Sequence, residues 1–157
     1  MRGNFSYKKH ELQPDNKFGS LMVSKMINNI MLNGKKSVAE KIAYSALENS
    51  AKELKKEPME VFETVMKNVG PLVEVKGKRI GGANYQVPVE VSKGRRNTLS
   101  MRWIITAARA RKGIDMATAL KLEFVDAYHS TGAAIKKKEE THRMAEANKA
   151  FAHFARL

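Results

Sequence analysis

The sequence predicts a mainly α fold: a single domain of six helices with a protruding two-stranded β-hairpin between the third and fourth. Three observations predict it. Apolar residues recur at helical spacing through most of the 157 residues. Glycine, proline and capping residues divide that pattern into six stretches. Between the third and fourth, "KRIGGANYQVPVEV" (78–91) alternates β-branched and polar residues around two glycines, as a hairpin does. The length suffices to bury a real core, and a hydrophobic content of 43% is ordinary for a globular chain.

Residues 1–18 show no period and mix Lys, Asn, Gln and Pro, so they read as an extended arm. From Ser20, Met22, Val23, Met26, Ile27 and Ile30 fall at helical spacing, and Gly34 ends that helix. "SVAE", Ser37 to Glu40, is a capping-box signature, with Val38, Ile42, Leu47 and Leu54 following on one broad face. Pro58 suits the first turn of a third helix, whose stripe is Phe62, Val65, Met66 and Val69 and which Gly70-Pro71 stops. The hairpin occupies about 72–91. A fourth helix runs from about 97 to 112, ending at Gly113. Asp115 caps a fifth, with Ala117, Leu120, Phe124 and Tyr128 on its core side and Gly132 at its end. The last helix covers most of 134–155, with Met144, Ala147, Phe151 and Phe154 as its stripe. The whole, residues 1–157, reads as one domain.

Within the hairpin, the apolar residues Val73, Val75, Tyr85, Val87, Val89 and Val91 all occupy odd positions. Cross-strand partners share a face, so odd faces odd only if the loop holds an odd number of residues. A two-residue Gly81-Gly82 turn would set Val75 opposite Pro88 and split the valines between faces. The expectation is therefore a three- or five-residue loop containing both glycines, unless a bulge resets the register.

The charge balance is unusual: 29 Lys and Arg against 16 Asp and Glu, a net +13, with a pI near 10.0. Such an excess costs self-repulsion, and a polyanionic partner is the usual reason to tolerate it. Residues 71–112 alone hold 10 basic and 2 acidic residues. There are no cysteines, so disulfides and thiolate metal sites are excluded. No apolar run approaches the ~18 residues of a membrane span. The N-terminus lacks an apolar signal core, and a cytoplasmic location is expected. His10, His129, His142 and His153 have no metal-type spacing; no Walker loop or nucleophile elbow occurs, and Gly81-Gly82 is a turn signal. Neither catalysis nor a cofactor or metal is expected.

Arg95, Arg102 and Arg109 are spaced by seven, which places Arg102 and Arg109 on one helix face and Arg95 at or just before its first turn. Arg111 and Lys112 close the same basic block. Arginine suits phosphate because its planar fork donates two parallel hydrogen bonds. Trp103 beside this stripe reads as core. Composition leaves two classes open: an architectural DNA binder with its ribbon in a minor groove, and a structural RNA binder. Pro88 lies mid-strand, away from the turn where a DNA-bending wedge would sit, which favours RNA.

The stretches "PDNKFGS" (14–20), "NGKKSVAEKIAYSALE" (33–48), "PMEVFETVMKNVGPLVEVKGKRIGGANYQVPVEV" (58–91), "RRNTLSMRWI" (95–104) and "TGAAIKKKEETHRMAEANKAFAHF" (131–154) resemble the bacterial-type family of small-subunit ribosomal protein seven. The resemblance covers almost the whole chain. It implies a structural constituent of the small ribosomal subunit that binds the 3′ major domain of the rRNA, nucleates head assembly and lies at the subunit interface. There it would sit near the tRNA exit site and the mRNA path, with small-subunit proteins nine and eleven as neighbours. It implies rRNA contacts from Lys35, Lys36, Arg95, Arg96, Arg102 and Arg109, with which Arg111 and Lys112 are grouped. By the same resemblance, Lys76, Lys78, Arg79, Gly81 and Gly82 of the hairpin lie at the exit site. Lys136, Lys137 and Arg143 of the last helix face RNA or tRNA.

Overall fold

A computed structural model describes residues 11–156; the first ten residues of the expected arm lie outside the described residues. Among the described residues six α-helices and one hairpin follow in the expected order: α1 (Leu21–Ile30), α2 (Lys36–Leu54), α3 (Pro58–Val69), β1 (Val73–Ile80), β2 (Ala83–Glu90), α4 (Lys93–Ala110), α5 (Met116–Tyr128) and α6 (Gly132–Ala147). A 3-10 segment, Lys149–Arg156, completes the described chain.

Local chemistry explains most boundaries. The Ser20 hydroxyl accepts from the Met22 and Val23 amides and starts α1. Just before it, the Asp15 carboxylate accepts from the Lys17, Phe18 and Ser20 amides and folds the end of the arm into a turn. That turn is fixed to α2 by a Lys17–Glu48 ion pair and an edge-on Phe18–Tyr44 contact. Pro58 opens α3, and Asp115 caps α5 by accepting from the Thr118 amide at 3.1 Å.

The core is built where α5 packs on α2, α3 and α4. Phe62 and Phe124 meet edge to face at its centre, both essentially inaccessible; burying each contributes about 1.5–3 kcal/mol. The buried face of α2 is Ala39, Ala43, Ala46, Leu47, Ser50 and Ala51, and small residues there let α5 approach closely.

The structure corrects several expectations. Ser37 is not a cap: α2 begins at Lys36 after Lys35, with no side-chain cap, and Val38 is exposed rather than on the core face. Lys35 takes the N-cap position with a non-helical backbone, its carbonyl accepting from the Ala39 amide, so Ser37 lies inside the first turn. Helix α1 stops at Ile30, and Gly34 lies in the following turn. Helix α4 starts at Lys93, four residues earlier than the apolar pattern suggests, because its first turn is polar and touches little of the core. Ser130, not Gly132, takes the left-handed position after α5, and Gly132 opens α6. The last helix is broken near Asn148, so 134–155 is not one element; Met144 and Ala147 are exposed.

The hairpin is corrected as well. Its loop is the two-residue Gly81-Gly82 turn, with Ile80 opposite Ala83 and Val75 opposite Pro88. Both glycines have positive φ, 55° and 87°, as a primed turn requires. Splitting the valines carries little penalty because neither face is simply solvent. Val73, Val75, Pro88 and Val89 are half-buried, and Val87 is fully buried on the face that also carries Tyr85. The 3-10 segment covers that face: Phe151 and Phe154 each lie 5.2 Å from the Tyr85 ring. These two phenylalanines therefore close the hairpin instead of filling the main core.

Candidate nucleic-acid interface

Helix α4 carries the Arg stripe. Arg95 lies in its first turn, Arg102 midway and Arg109 in its last turn. Fourteen residues of helix separate the ends, about 21 Å. Arg102 is exposed and has no ion pair or side-chain hydrogen bond among the described residues. Arg109 donates to the carbonyl oxygens of Ile30 (3.2 Å) and Asn29 (3.4 Å), closing the C-terminal end of α1. It shares a groove with Lys35 of the α1–α2 turn. The fold thus brings Arg109 and the exposed Lys35-Lys36 pair, distant in sequence, to one end of the stripe.

At the other end, Arg95 donates from Nε and a terminal nitrogen to one oxygen of Glu74, at 3.2 and 3.1 Å. Lys76 approaches the second Glu74 oxygen at 3.3 Å. Burial pushes the Glu74 carboxyl up, but the hydrogen bonds and charges of Arg95 and Lys76 outweigh it and hold it below the usual carboxylate range. Glu74 thereby ties the ribbon's root to α4. The Leu72 amide adds a second tie by donating to Nε2 of His142 at 3.1 Å. Burial, reinforced by the charges of Lys138 and Arg96, holds the His142 imidazole below its ordinary pKa.

Not every basic residue named from sequence is available to a partner. Arg111 donates to Glu123 (2.9 and 2.6 Å) and Asp126 (2.5 Å), and the Glu123 side chain is only 2% exposed. Its guanidinium is committed to neutralising a carboxylate on the core side of α5. Arg96 is only partly engaged: among the described residues one of its five N–H donors serves the Lys67 carbonyl at 3.0 Å, beside Gly70, and the rest of the fork stays open to a partner. Lys78 points from the ribbon to the Phe154 and Ala155 carbonyls, at 3.0 and 3.4 Å, instead of to solvent. Lys137 pairs with Glu140 on its own helix. Lys112, Arg79, Gly81, Gly82, Lys136 and Arg143 are exposed. Lys93, in the first turn of α4, is exposed too and was not singled out from sequence; the early start of α4 is what adds it to the basic face. Glu123 was also missed, although it sits one residue before Phe124 in an apolar stripe, where a carboxylate needs a cationic partner.

Comparison with known proteins decides what this basic fold belongs to. The family model described as ribosomal protein S7p/S5e matches residues 2–149. The chain belongs to that family. It is similar to the small ribosomal subunit protein uS7 of Chloroflexus aurantiacus, 52% identical over 99% of this chain and 98% of the relative. The uS7 of Thermotoga maritima is 52% identical, over 93% of this chain and 94% of the relative. That of Polynucleobacter asymbioticus is 56% identical over the same shares. This member of the ribosomal protein S7p/S5e family is a structural constituent of the small ribosomal subunit, not an enzyme. No helix among its described residues is long and apolar enough to cross a membrane.

Proposed function

We propose that the chain binds the 3′ major domain of small-subunit rRNA, nucleates assembly of the head, and lies at the subunit interface near the tRNA exit site and mRNA path. The supporting observation is the stripe on α4: Arg102 exposed without a side-chain partner among the described residues, between two clusters that contain Arg95 and Arg109. Lys35, Lys36, Arg95, Arg96, Arg102, Arg109 and Lys112 are the proposed rRNA contacts, and Lys93 joins them. Arg111 is assigned a structural part. The ribbon tip, with Arg79 and the Gly81-Gly82 turn, is proposed for the exit-site surface, with Lys76 at its root. Lys78 already gives two of its three N–H donors to the Phe154 and Ala155 carbonyls, which leaves one for RNA. Lys136, Lys137 and Arg143 are proposed RNA or tRNA contacts of α6, and proteins nine and eleven the neighbours. The exposed cations favour phosphate, and the resemblance selects rRNA over DNA.

The test is affinity for a 3′ major-domain fragment across a salt series. Neutralising roughly six to eight phosphates gives a slope of log affinity against log salt on the order of −5 to −7. A nearly flat slope, or equal affinity for duplex DNA at matched salt, would refute the reading.

A further inference from the structure

A groove of about 280 Å³ opens between α1, α3 and α4, and its composition is divided. Its floor is Met22, Met59, Phe62 and Met66; its rim carries Lys67, Lys93 and Arg96 against a single carboxylate, Glu63. We propose that this groove receives one unstacked base of the bound RNA, with the flanking phosphates on the cationic rim. The proposal rests on the rRNA-binding reading and gives it a specific subsite.

Size, charge and preorganisation carry it. Small-ligand clefts begin near roughly 300 Å³, so the space suits one ring system. It is short for an amphipathic helix, which needs a longer run of anchors at i, i+3, i+4 and i+7. Three cations around an apolar floor match a nucleotide, whose ring is apolar on its faces and whose backbone is anionic; an apolar protein segment would gain nothing from them. Thioethers pack well on aromatic faces, and three of the four floor residues are methionines. Arg96 is already held in place: its hydrogen bond to the Lys67 carbonyl fixes the guanidinium, and Gly70 leaves it room, since a Cβ there would fall 2.4 Å from Arg96 Nε. A fixed planar fork suits a base edge or a phosphate at little entropic cost. Among the described residues the Asn97 side-chain amide at the same rim hydrogen-bonds only the Met22 sulfur, at 3.5 Å, and so can hydrogen-bond a base edge. Single-stranded loops and bulges of RNA supply bases free to leave the stack.

The experiment uses the full chain with photo-methionine in place of methionine, bound to the 3′ major-domain fragment, irradiated and mapped by mass spectrometry. The expected result is a crosslink from Met22, Met59 or Met66 to a single nucleotide. In parallel, Met59→Trp fills the groove. Its affinity should fall on the order of ten-fold, the scale of losing one stacked base, with the salt slope unchanged because no phosphate contact is lost. Absence of a crosslink from all three methionines, with Met59→Trp binding within about two-fold of the parent, overturns the proposal. So does a crosslink from these residues to another protein in assembled subunits, which would make the groove a protein-docking site. If Met59→Trp does not fold, the crosslink alone decides. Failure of the underlying reading looks different: the unsubstituted chain would show no preference for the rRNA fragment over duplex DNA.

Discussion

Replacing Arg111 by alanine separates structural cations from interface cations within one basic block. The substitution leaves the Glu123 carboxylate buried, with a side chain 2% exposed and one oxygen, Oε2, already lacking a partner. Removing one member of a buried pair costs about 3–5 kcal/mol. Arg111 itself is 31% exposed, so water partly replaces it, and Asp126 at 39% exposure is readily solvated. The expected loss is therefore about 2–3 kcal/mol. For a chain of this size that lowers Tm by about 5–10 °C. The assay is urea and thermal unfolding of Arg111→Ala, of Arg102→Ala and of the double variant Arg111→Met with Glu123→Leu. The double variant should recover most of the loss, because an apolar pair leaves no unpaired charge. In rRNA binding the order reverses. Arg102→Ala should cost about 1–3 kcal/mol of affinity with Tm nearly unchanged, and Arg111→Ala should bind normally at temperatures where it is folded. An Arg111→Ala protein with parental Tm and weakened rRNA affinity would refute this reasoning and return Arg111 to the interface.

Two further predictions concern the ribbon and its supports. His142 has a depressed pKa, so its contribution to stability is full above the unfolded value near pH 6.5 and is lost as pH falls below it through the folded value; His142→Gln, which still offers an acceptor to the Leu72 amide, should remove the pH dependence in that window. Glu74, also depressed, adds a second loss beginning near its unfolded value of about 4.3; unfolding curves that superimpose for parent and His142→Gln from pH 7.5 to 5 would contradict the first assignment. Deleting the ribbon tip, residues 77–84, removes the Lys78 contacts to the Phe154 and Ala155 carbonyls, so limited proteolysis should cut Lys149–Arg156 faster while the helical circular dichroism of the core persists. Unchanged cleavage there would show that the Tyr85 contacts alone hold the segment, and loss of the helical signal would show that the ribbon supports the core.

The sequence by itself determined the six helices, the place of the hairpin and the location of the basic block. Each of these depends on local periodicity, on φ preferences of glycine and proline, or on a simple count of charge. It determined the cap at Asp115 for the same reason: the acceptor and the amide it serves lie three residues apart. The tertiary structure decided what the local pattern leaves open. The hairpin register went to the primed Gly81-Gly82 turn because Val73, Val75 and Pro88 on one face and Val87 and Val89 on the other are all at least half-buried, so alternation does not single out one apolar face. The break near Asn148 followed from the contact with the ribbon, since Phe151 and Phe154 turn toward Tyr85 instead of continuing α6. Above all, packing sorted the cations. Arg102 and Arg111 are nine residues apart in one basic run and look alike in sequence, but the carboxylate that claims Arg111 comes from α5, at a distance in the chain that no spacing rule connects. Which charges a protein keeps for a partner is settled by which ones its own folded acids have already taken.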